Sequence, residues 1–508
     1  MDVVSSIIMN NIIKIFLEKG ILIDREVLGV IKNLSEENLL ELVNLFCDLN
    51  LKFVNLNILR ENVSYLNEKL LKKSCFDGFF KFIKSGDDSI KIISNVSFSQ
   101  RKITVRNFID YFKSRYDEIK KILEARNFQN LCSIRKIRGN GTIIVSVLSK
   151  KITKNKNILL EVEDLSGNGI VIINKERREL FEKGEGVLED DVVAIEISGC
   201  GQGGMFFAKD LYYPDSFLSE KKTGDDKYMV FSGDFHVGSK FFLEEGVLKF
   251  IRWLNGEEGG DEEKNIAKKV KYLFLLGDNI DGVGHYPEQE RYLNEKTSKG
   301  QYKKFEDLLR LIREDIEIVI CPGQHDSVWV GEPQPKLSER WVGGLYEMKN
   351  VHLVSNPAVV SAGGFRVLMY HGASINRFID ELPGIRAKFG HKFPTKVMKE
   401  MLKRRHLSPL HGVMDYIPTE GRDNLVISEL PDVFVVGDQH VVDVSIYNNV
   451  LMIAGSCWQS KTPFDEKMGN ISDPCKVPVL NPKTRDIKIF DFNDEIKMSE
   501  VEVNENWG

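Results

Sequence analysis

The sequence predicts a multidomain chain: a large α/β fold preceded by a small antiparallel barrel and a short helical module. Three observations predict it. With 508 residues the chain exceeds what one hydrophobic core supports, so two to four domains are expected. The hydrophobic period then changes along the chain, from three- and four-residue spacing to short Ile/Val runs separated by Gly, Asn and Lys turns. Beyond about 226, apolar strand-like runs alternate with helical stretches, and each run ends in a polar cluster. The expected boundaries are 1–83 for the helical module, 84–102 for a linker, 103–225 for a helix followed by the barrel, and 226–508 for the α/β domain.

In the helical module, Val4, Ile7, Ile8, Ile12, Ile15 and Phe16 recur at helical spacing, and Gly20 is a C-terminal stop. Asp24 and Ser35 can each cap a following helix, the second carrying Leu39, Leu42, Val43 and Phe46 on one face. Nothing there carries chemistry, so it reads as a packing or docking unit. The stretches Ser85-Gly-Asp-Asp-Ser and Ser97-Phe-Ser-Gln-Arg-Lys are polar enough for a linker. From Val105 to Ala125, Phe108, Ile109, Phe112, Ile119 and Ile122 mark an amphipathic helix that should pack on the next domain.

The barrel strands are read from Thr142-Ile-Ile-Val-Ser-Val, Asn157-Ile-Leu-Leu-Glu-Val-Glu, Gly169-Ile-Val-Ile-Ile and Asp191-Val-Val-Ala-Ile-Glu-Ile. The pattern fits an OB-like barrel. A single-stranded nucleic-acid platform needs aromatics on the barrel face; these strands carry few, which favours a barrel that binds a partner subunit or a neighbouring domain. In the α/β domain the strands are Tyr272-Leu-Phe-Leu-Leu, Ile316-Glu-Ile-Val-Ile, Val367-Leu-Met-Tyr and Val433-Phe-Val-Val.

Composition limits what the chain does. With 42% hydrophobic and 29% charged residues it is an ordinary globular sequence. A formal charge of -5 gives no global basic field, so a nucleic-acid surface must be a local patch. No apolar run reaches the roughly 18 residues of a membrane span, and the N-terminus lacks a signal-peptide pattern. No membrane association and a cytoplasmic location are expected. The seven cysteines are scattered, with no C-x-x-C pair, which argues against a disulfide framework or a zinc ribbon.

Five segments carry the chemistry. Phe231-Ser-Gly-Asp-Phe-His sets Asp234 and His236 two residues apart at a strand end, where side-chain alternation points both the same way, as two ligands of one metal require. Leu276-Gly-Asp-Asn-Ile-Asp-Gly282 offers Asp278, whose two oxygens can bridge two cations. Cys321-Pro-Gly-Gln-His-Asp326 supplies the amide of Gln324 and the imidazole of His325, Tyr370-His-Gly372 supplies His371, and Gly437-Asp-Gln-His440 supplies Asp438 and His440. Five strand ends on one sheet edge are expected to form one site. Asp281 and Asp326 are expected to fix their loops by hydrogen bonds, and His285 and His411 to take surface or packing roles. The Lys403-Arg-Arg-His406 run suits either a DNA backbone or a helix end.

The order D-x-H, G-D-x-x-D-G, G-[N]-H-D, H-G, G-[H]-x-H resembles the calcineurin-like metallophosphoesterases over about 228–495. A closer resemblance is to the small subunit of archaeal family D DNA polymerase. It rests also on Glu332-Pro-Gln-Pro335, Tyr370-His-Gly-Ala-Ser-Ile375, Leu402-Lys-Arg-Arg-His-Leu-Ser-Pro409 and Ser456-Cys-Trp-Gln459, and in the middle region on Val162-Glu-Asp-Leu-Ser-Gly167 and Phe108-Ile-Asp-Tyr-Phe.

The resemblance implies that the α/β domain is a sandwich of two sheets flanked by helices. It implies a 3′-to-5′ exonuclease with two divalent ions, manganese first, with iron, zinc or magnesium as alternatives. One ion would be held by Asp234, His236, Asp278 and His440, the other by Asp278, Gln324, His371 and Asp438, with His325 serving the leaving 3′ oxygen and Asp278 bridging. Mixed imidazole and carboxylate donors suit manganese, iron or zinc better than calcium. The implied partners are a large catalytic polymerase subunit, the single-stranded 3′ end of a DNA primer, and the sliding clamp PCNA. The sequence departs from the family pattern at Gln324, where Asn is usual, and at Asp438, where His is usual, both on the same ion. Two other readings are a scaffold subunit whose hydrolysis is attenuated or lost, and a free-standing phosphoesterase for small esters, which would need neither barrel nor helical module.

Overall fold

The structure, a computed structural model, describes residues 12–501 except 33, 56–57, 60–61, 71–75, 77–78, 80–89, 97, 99–101, 202–203, 220, 413–414 and 469–470. Val4, Ile7, Ile8 and the Ser85-Gly-Asp-Asp-Ser stretch lie outside the described residues. The chain forms two compact units, 1–89 and 90–508.

In the first unit two short strands, β1 (Leu22–Ile23) and β2 (Phe53–Val54), pair in parallel. Ser35 caps the helix Glu36–Asp48 by accepting from the Asn38 amide at 3.4 Å. That helix buries Leu39, Leu42, Val43 and Phe46 against Ile12, Phe16, Val27 and Leu66.

The second unit opens with β3 (Lys91–Asn95), followed by the helix Val105–Glu124. Five strands then close a barrel: β4 (Gly141–Ile152), β5 (Ile158–Asp164), β6 (Gly167–Ile173), β7 (Val192–Cys200) and β8 (Met205–Tyr212). Their order is β4-β5-β6-β8-β7, with β6 and β8 parallel. Strand β8 escapes sequence reading because its alternation is broken. Glu196 pairs with Asp210 and Ile197 with Ala208, so Lys209 is an extra residue, and the buried positions are Phe206, Ala208 and Leu211. The helix lays Tyr116, Ile119 and Leu123 on Ile144, Val192 and Ala194 of the barrel, the packing its amphipathic pattern predicts.

Twelve more strands follow: β9 (Tyr228–Ser232), β10 (Val270–Leu276), β11 (Glu317–Cys321), β12 (Val351–Leu353), β13 (Ala358–Ala362), β14 (Phe365–Tyr370), β15 (Val433–Val436), β16 (Asp443–Tyr447), β17 (Val450–Ala454), β18 (Lys476–Leu480), β19 (Ile487–Asp491) and β20 (Lys497–Glu500). With β3 they build two sheets, ordered β12-β11-β10-β9-β18-β19-β20 and β16-β17-β15-β14-β13-β3. Met229, Phe231, Tyr272, Phe274 and Val319 of the first face Val360, Val367, Met369, Val433 and Val435 of the second. The intervening residues point the other way: Val230, Leu273 and Leu275 onto Val247, Phe250 and Phe305 of flanking helices, and Leu368, Tyr370, Phe434 and Val436 onto Ile379, Val397 and Met401. Burial on both faces is why these strands read as unbroken apolar runs. The result is a two-sheet sandwich covered by helices on both sides.

One expectation is corrected here, and one open choice is decided. Residues 91–95, read as part of a linker, form β3, which pairs antiparallel with β13. As an edge strand it leaves Ile92 and Ile93 half exposed, and its mixed polarity hides it in the sequence. Of the two roles open to the Lys403-Arg-Arg-His406 run, the structure gives the helix end: Lys403 and Arg404 close the helix Pro394–Arg404, Arg405 caps it, and Arg404, Arg405 and His406 are buried and not offered to DNA. Arg404 pairs with Asp191 at 3.2 Å and with Glu400, Arg405 donates to the Ile427 carbonyl at 3.1 Å, and His406 meets Asp423 at 2.8 Å. His411 packs, stacking on Tyr416 with ring centres 5.7 Å apart. Among the described residues no helix is long and apolar enough to cross a membrane.

Candidate metal centre

The five expected segments do not share one sheet edge. Strands β9, β10 and β11 belong to one sheet and β14 and β15 to the other. The ends meet across the gap between the sheets, where His371, after β14, reaches the Leu276 carbonyl of β10, and the Asp438 amide, after β15, reaches the Asp234 carboxylate.

The local backbone is also different from a straightening strand. Asp234, His236, Asp278, Asp438 and His440 have φ of 53°, 49°, 48°, 63° and 56°. Strand β9 ends at Ser232, so Asp234 and His236 converge through two left-handed residues and not through the pleat. Left-handed backbone costs a non-glycine residue about 1–2 kcal/mol. The surrounding hydrogen bonds hold it: Asp234 N to Gly277 O at 3.0 Å, His236 N to Asp278 O at 3.0 Å, and Trp458 N to Asp234 O at 2.9 Å. Strain gathered on the residues that carry chemistry is a mark of a functional site.

Close backbone approach completes the frame. A Cβ on Gly323 would lie 2.2 Å from Asp278 Oδ1 and 2.4 Å from Asp278 N, and one on Gly277, at φ 97°, would lie 2.5 Å from His371 Nδ1. Gly323→Ala is therefore expected to displace Asp278, lowering the metal content of the folded protein and costing about 1–3 kcal/mol of stability as overpacking. Elemental analysis beside thermal unfolding checks it; unchanged metal content would sink it.

The side chains form two adjoining sets. On one side His236 Nε2 lies 3.2 Å from His440 Nε2, and His440 Nε2 lies 3.6 Å from Asp234 Oδ1. Behind His236, on the side away from Nε2, Asp281 Oδ1 stands 3.3 Å from Nδ1. On the other side His371 Nδ1 lies 2.7 Å from the Leu276 carbonyl. A carbonyl only accepts, so Nδ1 donates. His371 Nε2 is then left buried without a hydrogen-bond partner, facing Asp278 Oδ1 at 3.4 Å and Asp438 Oδ1 at 3.8 Å. Asp278 joins the sets, its Oδ2 lying 4.0 Å from His236 Nε2. The donor atoms of Asp234, His236 and His440, of Asp234, Asp278 and His371, and of His236, Asp278 and His325 each fall within 4.8 Å of one another. Convergent imidazole and carboxylate donors, with a buried imidazole nitrogen left unpartnered, can hold metal ions.

Burial acts to raise the pKa of Asp278, but His371, His325 and His236 hold its carboxyl well below the ordinary range. Burial, with Asp234 and Asp278 nearby, pushes Asp438 the other way. Gln324, His325 and Asp438 line a cavity of about 310 Å³ in front of the donors. All eight residues singled out from the sequence thus come together. Asp281 and Asp326 fix loops, Asp326 accepting from Gly323 N at 2.8 Å and Tyr302 OH at 2.9 Å, and Asp281 from Gln289 Nε2 at 2.9 Å.

His285 is the residue whose place the sequence hides. It lines the cavity and stacks on His325 with ring centres 4.8 Å apart. Its only signal is the glycine at 282, whose absent Cβ leaves room for the His285 ring to fold back.

A family model describing the B subunits of DNA polymerases alpha and epsilon matches residues 239–443. The chain is 35% identical to the DNA polymerase II small subunit of Methanothermobacter thermautotrophicus over 416 residues, 80% of this chain and 84% of that protein. It is 35% identical to the DNA polymerase II small subunit of Archaeoglobus fulgidus over 405 residues, 79% of this chain and 80% of that one. Among solved structures, zinc-complexed Vps29 of Entamoeba histolytica covers 55% of this chain and 99% of its own at 14% identity, with a TM-score of 0.28, too low a likeness to bear on the site. The sustained identity to the two archaeal proteins decides the matter, and the chain belongs to the family of archaeal DNA polymerase II small subunits.

Proposed function

We propose that this chain is a 3′-to-5′ exonuclease that trims DNA primer ends for a large catalytic polymerase subunit, which it also scaffolds. What carries the reading is the convergence of Asp234, His236, Asp278, His371 and His440 around a buried, unpartnered His371 Nε2. In this reading one ion is held by Asp234, His236, Asp278 and His440 and the other by Asp278, Gln324, His371 and Asp438, with manganese, iron, zinc or magnesium as the ions. Bound there, such a pair supplies an activated water and offsets charge on the attacked phosphate and the departing oxygen.

The chain's own residues do the rest. His325 Nδ1 donates to the Asp281 carbonyl at 2.7 Å, so its Nε2 is the atom free to hand over a proton. Burial alone would lower the His325 pKa; Asp278 and the Asp281 carbonyl and carboxylate overcome it and raise it. As water adds to phosphorus and the P–O3′ bond breaks, that proton goes to the 3′ oxygen, leaving a free 3′ hydroxyl and a 5′ mononucleotide. His285, stacked on His325, holds the ring over the cavity. The barrel is read as OB-like and, with the helix Val105–Glu124, as the part that meets the large subunit. The single-stranded primer end and the sliding clamp PCNA are the other proposed partners, the cytoplasm the proposed location, and 226–508 the nuclease domain.

The test is purified protein with manganese on a 5′-labelled primer. Stepwise shortening from the 3′ end, abolished by Asp234→Ala, is the expected result. Intact primer ends together with no bound metal would overturn it and leave the scaffold reading; faster hydrolysis of a chromogenic monoester than of DNA ends would favour the small-ester reading.

A further inference from the structure

We propose that the two metal positions are chemically unequal: the side of Asp234, His236 and His440 is a nitrogen-rich site that retains zinc or iron, and the side of Gln324, His371 and Asp438 is an oxygen-rich site that fills second and takes manganese or magnesium. This rests on the two-ion reading above and deepens it.

The sides differ in donor type. On the His371 side the donor atoms of Asp234 and Asp278 fall within 4.8 Å of that of His371, and Asp438 Oδ1, 3.8 Å from His371 Nε2, adds a third carboxylate. The first side brings two imidazoles whose Nε2 atoms lie 3.2 Å apart. The second brings one imidazole, His371, facing Asp278 Oδ1 at 3.4 Å, while Gln324 lines the cavity together with Asp438. Asp438 is held in this role: its Oδ2 accepts from Gln439 Nε2 at 2.6 Å, which leaves Oδ1 turned toward His371 Nε2 at 3.8 Å. Imidazole donors suit zinc and iron, whereas carboxylate and amide oxygens suit manganese and magnesium. Zinc outcompetes manganese at any such donor set, but the margin narrows as oxygen replaces nitrogen. At limiting free zinc the first side fills and the second is left to the harder ion.

Asp438→His should convert the second side without disturbing the frame. The backbone at 438 is already left-handed, a conformation His236 and His440 also adopt here. Its amide bonds to Asp234 Oδ1 at 3.1 Å and Oδ2 at 3.2 Å do not involve the side chain.

The experiment equilibrates the full-length protein with chelator-buffered zinc, held at a free concentration that saturates its tightest zinc site, and excess manganese, then counts both metals by mass spectrometry and records the manganese EPR signal. Wild type is expected to hold one zinc and one manganese, and Asp438→His two zinc ions. Changes behind a ligand alone move metal affinity by about 10–100-fold, so exchanging the ligand itself should tighten the second zinc by about tenfold or more. Wild type loading two zinc ions at that zinc level overturns the proposal, as does Asp438→His, folded by circular dichroism, leaving the second zinc affinity unchanged. The wild-type arm stands even if the variant does not fold. Binding of one equivalent only, whatever the metal, overturns the two-ion reading itself, so the two failures are distinct.

Discussion

Asp278→Asn is expected to slow primer-end degradation by roughly a hundred- to a thousandfold or more, the cost of losing one preorganised charge contact in a shielded site. The change is close to isosteric, so the effect is chemical and not a matter of packing. Asp278 is 3% exposed, accepts from His325 N at 2.8 Å, and presents Oδ1 to His371 Nε2 and Oδ2 toward His236 Nε2. An asparagine keeps one oxygen and points an N–H donor at an imidazole, so the two sets no longer share an anion. Metal content should fall below two ions per chain while the far-ultraviolet dichroism is unchanged. Asp281→Asn is the informative companion. That side chain stands behind His236 and does not face His371, so its loss should weaken one ion about 10–100-fold and spare the other. Wild-type rates and metal content in Asp278→Asn would remove Asp278 from the centre of the site.

The reach of sequence reading follows from what each feature depends on. Strands β10, β11, β14 and β15 were legible because both faces are buried and nothing interrupts the apolar run. The polar clusters after them were legible because chemistry fixes residue type as well as spacing. That β14 and β15 lie in a different sheet from β9 to β11 was not, since parallel pairing is set by connections that carry no local signal. The left-handed backbone at Asp234 and His236 was hidden because Asp and His, though enriched among non-glycine residues there, still adopt it only occasionally. β3 was missed as an edge strand and β8 as a bulged one. For the Lys403-Arg-Arg-His406 run the helix end was legible and the burial was not: charge in a sequence suggests a wet surface, and only the partners Asp191, Glu400 and Asp423, distant or on another turn, show that it is buried.

That buried charge leads to the second large expected effect. Arg115→Met is expected to destabilise the second unit by about 3–5 kcal/mol, because it leaves the Asp423 carboxylate buried without its cation. Arg115 is 2% exposed; its Nε donates to Asp423 Oδ2 at 2.7 Å, its Nη1 to the Pro409 carbonyl at 2.7 Å, and its guanidinium lies 5.0 Å from the Phe112 ring centre. Adding Asp423→Leu should recover much of the loss, since a buried pair exchanged for apolar residues is often close to neutral. His406 makes the same cluster sensitive to acid. Burial and then Arg115 push its pKa down to about 4, so the neutral ring donates Nε2–H to Asp423 at 2.8 Å while Nδ1 accepts from Ser408 N at 3.0 Å. An unfolded histidine takes up a proton near pH 6.5, as the folded one does not until about pH 4, so stability falls as pH drops through that window. The loss from this group is about 2 kcal/mol between pH 7 and pH 5. Asp423, held below the ordinary carboxylate range by Arg115 and His406 against its burial, works in the same direction but only at lower pH. His406→Gln keeps an amide to donate and an oxygen to accept, but it cannot titrate. Hydrogen exchange in the helix Val105–Glu124 should therefore show a pH-dependent loss of protection in wild type that is flattened in His406→Gln, and an equal slope in the two proteins would rule His406 out as its source.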